Sequence, residues 1–152
     1  MLPHSLLYEQ PELLRVEILI PIDSEESARE TIEYTIRAYP DASITVLHVL
    51  PRNTPYAVGG VAVQNSVTES DRRYPDELFE AATETAERLG GSVTTMTGVG
   101  APVWKIAEYA DKHNIDHIII GSCDRSGLLR FLFQNVTTGV VSKSPVPVTV
   151  VK

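Results

Sequence analysis

Short apolar segments alternate with amphipathic segments along the chain, and this alternation predicts strands and helices in turn. Continuous apolar, β-branched runs are typical of buried strands, whereas apolar residues at three- and four-residue spacing indicate helices. Strands are predicted at 15–21, 44–50, 92–99, 117–120 and 145–151. Helices are predicted at about 23–40, 76–89, 102–114 and 136–143. Residues 1–14 are predicted to form a short extension, and 52–75 to form a long irregular connection.

The alternation predicts one doubly wound α/β domain over residues 15–152, with five strands and four helices. Helices supply the crossovers that parallel strands need, so the sheet should be mainly parallel. In the order 3-2-1-4-5, the first and fourth strands meet at the switch point, where such sheets bind ligands. Asp23 follows the first strand and Gly121 the fourth, so both should face one crevice. Glu26 stands three residues after Asp23, and a helix N-cap is therefore the alternative role of Asp23.

Composition and charge narrow the classes of function. Apolar residues make up 43% of the 152 residues and charged residues 22%, as in ordinary globular proteins. No apolar run reaches the roughly 20 residues of a membrane span, and no secretory signal is expected. The net charge of −7 opposes binding to nucleic acids and anionic membranes. Cys123 is the only cysteine, which favours a reducing, cytoplasmic location.

The sequence predicts neither a catalytic arrangement nor a metal site. Gly98-Val99-Gly100 begins like a dinucleotide fingerprint, but Val103 takes the place of its third glycine. No nucleophile elbow or Walker loop is present. The histidines lack metal-ligand spacing and are interpreted as structural: His4, His48, His113 and His117.

Several segments together resemble the universal stress protein family. They occur in the family's order and spacing from about Val16 to the end, at 18–27, 46–49, 100–102, 116–122 and 145–151. The resemblance implies the adenine-nucleotide α-hydrolase-like form of the fold and a cytoplasmic role in stress response. It also implies a homodimer formed through the C-terminal strand, Pro147–Val151.

Nucleotide-binding members of that family carry the loop G-x-x-G-x9-G-[S/T] after the fourth strand. Its glycines let backbone N–H groups approach phosphate oxygens, and the next helix adds its positive end. The resemblance implies that Asp23 binds near the adenosine and that Val49 flanks the base. Ser122 and Arg125 lie in the same loop and are further candidates for ligand contacts.

Gly121 matches the first glycine, but the other loop positions of the pattern differ. Asp124 and Gln134 replace glycines, and Asn135 replaces the serine or threonine. A carboxylate about 4 Å from a phosphate charge costs roughly 1 kcal/mol in water and about 4 kcal/mol at a protein-like dielectric. Arg125 can offset the charge of Asp124, and Asn135 can still serve as a helix N-cap. Gln134 adds bulk where the backbone should approach the ligand.

The favoured function is a dimeric stress-response protein that acts through partner contacts and binds ATP weakly or not at all. The alternative is a sensor that binds ATP or AMP with Mg through the modified loop from Gly121 to Asn135. An adenylating enzyme is less favoured, because residues 21–26 lack the Ser-Gly-Gly pattern of that group. A receiver domain is ranked last, because residues 97–100 offer no aspartate. At most, weak nucleotide hydrolysis is expected.

Overall fold

The structure, a computed structural model, describes residues 15–50, 56–58, 61–63, 69–122 and 128–152, with side chains at 15–50, 75–122 and 136–152. The strands in this part of the chain are β1 (Glu17–Pro21), β2 (Ser43–Leu50), β3 (Tyr56–Val58), β4 (Val61–Val63), β5 (Thr94–Val99), β6 (His117–Gly121) and β7 (Val148–Val151). The helices are α1 (Glu25–Ala38), α2 (Glu69–Arg88), α3 (Pro102–Lys112) and α4 (Leu128–Lys143). None of these helices is long and apolar enough to cross a membrane.

The main sheet has the order β5-β2-β1-β6-β7, and every neighbouring pair is parallel. Counted without β3 and β4, this is the predicted order 3-2-1-4-5, and the fold prediction is confirmed. β3 and β4 form a separate antiparallel pair, in which Val58 lies opposite Val61.

Two apolar layers cover the sheet, because successive side chains of a strand point to opposite faces. Helices α1 and α2 pack on the face that presents Ile18, Ile20 and Val46. Helices α3 and α4 pack on the other face, against Leu19, Leu47, Ile118 and Ile120. The strands beside the switch point, β1 and β6, are therefore buried on both faces and hold its geometry firmly.

The region predicted to be irregular, 52–75, contains regular structure. It includes β3 and β4, and α2 begins at Glu69 rather than near Asp76, so Pro75 lies inside the helix. An interior proline removes a hydrogen bond and costs roughly 3 kcal/mol. Burial offsets this cost, because Leu78 anchors the following turns with 0% exposure. The expected N-terminal extension, 1–14, and the glycines Gly59-Gly60 lie outside the described residues.

Helix α4 was predicted at 136–143, but it begins at Leu128. Residues 128–133 are Leu-Leu-Arg-Phe-Leu-Phe, which contain good helix formers and no glycine or proline. The prediction that Asn135 caps the start of this helix is therefore wrong. Asn135 lies well inside α4, as does Gln134.

His117 links the starts of β6 and β7 at the amino end of the sheet. Its Nε2 lies 2.7 Å from Thr149 Oγ1, and its ring and that of Tyr39 form a T-shaped pair with centroids 5.8 Å apart. Burial lowers the pKa of His117 below its usual value of 6.5. The folded state therefore favours the neutral ring, and the unfolded chain binds the proton more readily.

We expect the stability contribution of His117 to be complete above about pH 6.5 and to be lost as the pH falls toward the depressed folded pKa. Thermal melts between pH 7.5 and about 5 should show a steeper loss for wild type than for His117→Gln. The exposed-histidine variant His113→Gln serves as the control and should keep the wild-type slope. Parallel curves for wild type and His117→Gln would contradict this assignment.

Candidate functional site

The crevice predicted from the sequence corresponds to the switch point between the carboxyl ends of β1 and β6. The ladder between these strands comprises only Ile18↔His117 and Leu19↔Ile118, whereas β1 pairs with β2 as far as Pro21↔Leu47. Hydrogen bonding between β1 and β6 thus stops before either strand ends. Their carboxyl ends are free to diverge at the switch point, where doubly wound sheets bind ligands.

The turn after β1 is held to β2 by two hydrogen bonds. Ile22 donates its N–H to the Leu47 carbonyl at 2.9 Å, and His48 Nδ1 lies 2.8 Å from the Ile22 carbonyl. His48 is buried, so this bond is shielded from water and fixes the backbone just before Asp23. The structural interpretation of His48 agrees with this position.

Ser24, not Asp23, is the N-cap of α1. Its backbone is extended, and its hydroxyl accepts a hydrogen bond from the Ser27 N–H at 3.2 Å. Serine and aspartate are both good N-cap residues. Here the cap is Ser24, so the helix begins one residue later than the capping pattern from Asp23 to Glu26 suggests. The prediction of Asp23 as N-cap is wrong, and half-buried Asp23 lies in the turn at the crevice.

Gly121 ends β6 between helices α1 and α4. A Cβ at this position would lie 2.8 Å from Ser27 Oγ and 3.2 Å from Thr31 Oγ1. On the α4 side, Thr137 Oγ1 donates to the Gly121 carbonyl at 3.3 Å. The absence of a side chain at Gly121 therefore allows α1 to approach β6 closely at the crevice.

Ser27 and Ser122 place two buried hydroxyl oxygens beside Gly121. Neither oxygen has a hydrogen-bond partner within the part of the chain that the structure describes. An unsatisfied buried hydroxyl typically costs about 1–3 kcal/mol. Ser122 was a candidate from the sequence, whereas Ser27 was missed. The feature that could have identified Ser27 is its position one turn before Thr31, on the face of α1 toward Gly121.

Carboxylates dominate the charge of α1 next to the crevice. Glu25 and Glu26 occupy its first turn, directly after Asp23, and favour the helix dipole. Arg29 binds Glu25 at 3.1 Å, and both side chains are well exposed. The first turn of α1 therefore carries two carboxylates, one of which is paired with Arg29.

The other predicted site residues are less closely grouped. Val49 is half-buried near the carboxyl end of β2 and packs on the α3 and α4 side of the core. Gln134 and Asn135 belong to α4, and their side chains are not described. Asp124, Arg125 and Cys123 lie outside the described residues. Within the described ranges, no three His, Cys, Asp or Glu side chains cluster as metal ligands would.

Comparison with known proteins agrees with this architecture. A sequence model of the universal stress protein family matches residues 17–152. One universal stress protein of Methanocaldococcus jannaschii is 27% identical over 152 residues, which cover 90% of this chain and 94% of that protein. Another from the same organism is 26% identical over 143 residues, covering 93% and 84% of the two chains.

Solved structures show the same fold. The universal stress protein of Archaeoglobus fulgidus, in complex with dAMP, has a TM-score of 0.66 at 20% identity, covering 90% of this chain and 98% of its own. An Arabidopsis thaliana family member with AMP bound has a TM-score of 0.62 at 17% identity, with 90% of each chain covered. These likenesses show the fold, and the match of the family model over residues 17–152 shows that the chain belongs to the universal stress protein family.

Proposed function

We propose that this chain is a dimeric stress-response protein that acts through contacts with partner proteins and holds ATP weakly or not at all. The observation that carries the proposal is the start of α4 at Leu128. The third glycine and the serine or threonine of the family loop correspond to Gln134 and Asn135, the seventh and eighth residues of this helix. Only the first four N–H groups of an α-helix are free to bind a ligand. The amides of Gln134 and Asn135 are thus committed to the helix.

The charges near the crevice support the same proposal. Asp23, Glu25 and Glu26 lie within four residues on the β1 side, and the sequence adds Asp124 on the β6 side. A carboxylate about 4 Å from a phosphate opposes binding by roughly 1–4 kcal/mol, depending on the local dielectric, and the pairing of Glu25 with Arg29 lowers the share of Glu25. A triphosphate suffers most from this arrangement, because it carries the largest negative charge.

Two buried hydroxyl groups favour a second candidate function, the sensing of an adenine mononucleotide. Among the described residues, Ser27 and Ser122 have buried oxygens without partners near the end of β6, and either hydroxyl can donate to a ligand oxygen. A monophosphate requires fewer backbone N–H contacts than a triphosphate. The complexes of the related proteins with dAMP and AMP support this candidate.

Titration calorimetry tests the proposal directly. We expect no heat from Mg·ATP up to millimolar concentration, and micromolar affinity would contradict the proposal. In the mononucleotide alternative, AMP binds, and Ser27→Ala with Ser122→Ala weakens it.

A restored loop provides the converse test. The triple variant Asp124→Gly, Gln134→Gly, Asn135→Ser is expected to bind Mg·ATP several-fold to about a thousandfold more tightly than wild type. Glu87→Gln is the matched control, since it removes one exposed carboxylate from α2, away from the crevice. A triple variant that folds but gains no affinity would show that the loop residues do not set ATP binding.

The homodimer is proposed to form through β7. This strand lies at the edge of the sheet, and Val150 is 37% exposed there. An apolar edge strand needs a cover, and pairing with the same strand of a second copy provides one. Deleting residues 147–152 should give monomer or aggregate in sedimentation runs. A truncated protein that still sediments as a dimer would exclude this interface.

A further inference from the structure

The strand at the opposite edge of the sheet, β5, is exposed and unprotected. In the part of the chain that the structure describes, no strand pairs with its outer side. Edge strands are usually protected by charged residues or proline, and Thr94–Val99 contains neither. Met96 is 39% exposed and Val99 is 51% exposed. β5 therefore presents backbone hydrogen-bonding groups and apolar side chains to solvent.

A cavity of about 230 Å³ opens beside this edge, between β5 and α3. Its lining includes the apolar side chains of Leu47 and Met96 and the ring of Tyr109. The ring of His113 stacks on that of Tyr109, with centroids 3.8 Å apart, and completes the wall on the α3 side. The cavity is large enough for one branched aliphatic side chain. We call β5 and this cavity the β5 groove.

Gly98 keeps the cavity open. Its φ lies outside the left-handed region, so the backbone does not require glycine. A Cβ at this position would lie 3.7 Å from Leu47 Cδ1 and from Val49 Cγ2, which is ordinary van der Waals contact. Neither backbone strain nor crowding explains a glycine here. Its effect is to leave the floor of the groove free of a side chain.

The lining of the groove includes two lysines and one glutamate, and Asp111 also acts electrostatically on Lys112. Lys112 Nζ lies 2.7 Å from a Glu108 carboxylate oxygen, and Lys105 Nζ lies 3.5 Å from the other. Two ammonium groups thus share one carboxylate, on a protein whose net charge is −7. The rim is complementary to a carboxylate presented by a bound partner.

We propose that the β5 groove binds an extended segment of an acidic partner protein by strand addition. Backbone hydrogen bonds to β5 supply affinity, and an apolar side chain seated over Gly98 supplies specificity. A neighbouring aspartate or glutamate of the segment contacts Lys105 and Lys112. The inference rests on the proposed function, because it gives the partner contacts a surface. That surface is separate from the crevice at β1 and β6.

A labelled synthetic peptide tests the groove on the full chain. The probe is a short threonine- and valine-rich peptide with a central leucine between two glutamates, and binding is read by fluorescence anisotropy. Wild type is expected to bind it and to bind the matched lysine peptide more weakly. Gly98→Val should fill the cavity and weaken binding about 10- to 100-fold. The peptide with serine in place of leucine should lose a similar amount.

The variant Lys112→Glu is a second test, at an exposed rim position of the groove, that leaves the apolar floor at Gly98 unchanged. It should reverse the preference, so that the lysine peptide binds better than the glutamate peptide. Three results would overturn the inference: no peptide binding by wild type, unchanged binding by Gly98→Val, or equal binding of both charged peptides. Mg·ATP titration of the same samples reports on the proposed function alone. Failure of the groove inference can therefore be distinguished from failure of the proposal that ATP binds weakly or not at all.

Discussion

Replacing Ile20 by alanine is expected to destabilise the protein by about 2–5 kcal/mol. Ile20 has 0% exposure in β1, the middle strand of the sheet, and belongs to the apolar layer beneath α1 and α2. Neighbours on both sides of the strand leave little freedom to fill the space that the lost atoms vacate. Domains are typically stable by only 5–15 kcal/mol, so this single change removes a large fraction of the total.

Urea denaturation followed by circular dichroism measures the loss of Ile20. Val141→Ala is the matched control, because Val141 is 53% exposed on α4 and should change stability by less than about 0.5 kcal/mol. A loss below about 1 kcal/mol for Ile20→Ala would mean that the sheet centre is less tightly packed than described.

The second large effect is expected at Gly139, where alanine should destabilise the protein although it is the better helix former. Helix propensity alone favours alanine by about 1 kcal/mol. However, a Cβ at Gly139 would lie 2.6 Å from Val103 Cγ2 and 3.2 Å from its Cγ1. Val103 is β-branched and stiff, so α3 and α4 must move apart, at a cost of about 1–3 kcal/mol.

The double variant Gly139→Ala with Val103→Ala separates the gain in helix propensity from the cost of the steric clash. Shortening Val103 removes the clashing methyl groups, so the two changes together should destabilise less than the sum of the single changes. Strict additivity in a double-mutant cycle would show that Gly139 does not set the approach of α3 to α4.

Much of the fold is readable from the sequence because its strands are short, apolar and bounded by clear breakers. Pro21 ends β1, and the alternation with helices leaves few ways to connect parallel strands. The helix boundaries that were predicted wrongly have local causes. Pro75 is a helix breaker that buried residues later in α2 override, and α4 was predicted only over its weak helical pattern at 136–143 although it begins at Leu128.

The candidate site was only partly predictable for a different reason. Asp23 and Gly121 follow strands, so strand order alone brings them to one edge of the sheet. Ser27 acquires its significance from contact with Gly121, a residue far along the chain, and from the burial of its hydroxyl. The open floor at Gly98 depends likewise on where α3 lies over the sheet. Such properties depend on tertiary packing and leave no periodic signal.

The position of β1 in the sheet also has a consequence during synthesis on the ribosome. β1 emerges first, and β2 can pair with one side of it soon afterwards. Its other side waits for β6: the Glu17 amide binds the Asp116 carboxylate from 99 residues further along the chain. At about 5–20 residues per second, translation leaves this strand half-paired for roughly 5–20 s. The nascent chain therefore exposes one side of an apolar strand for a period in which chaperones can engage it.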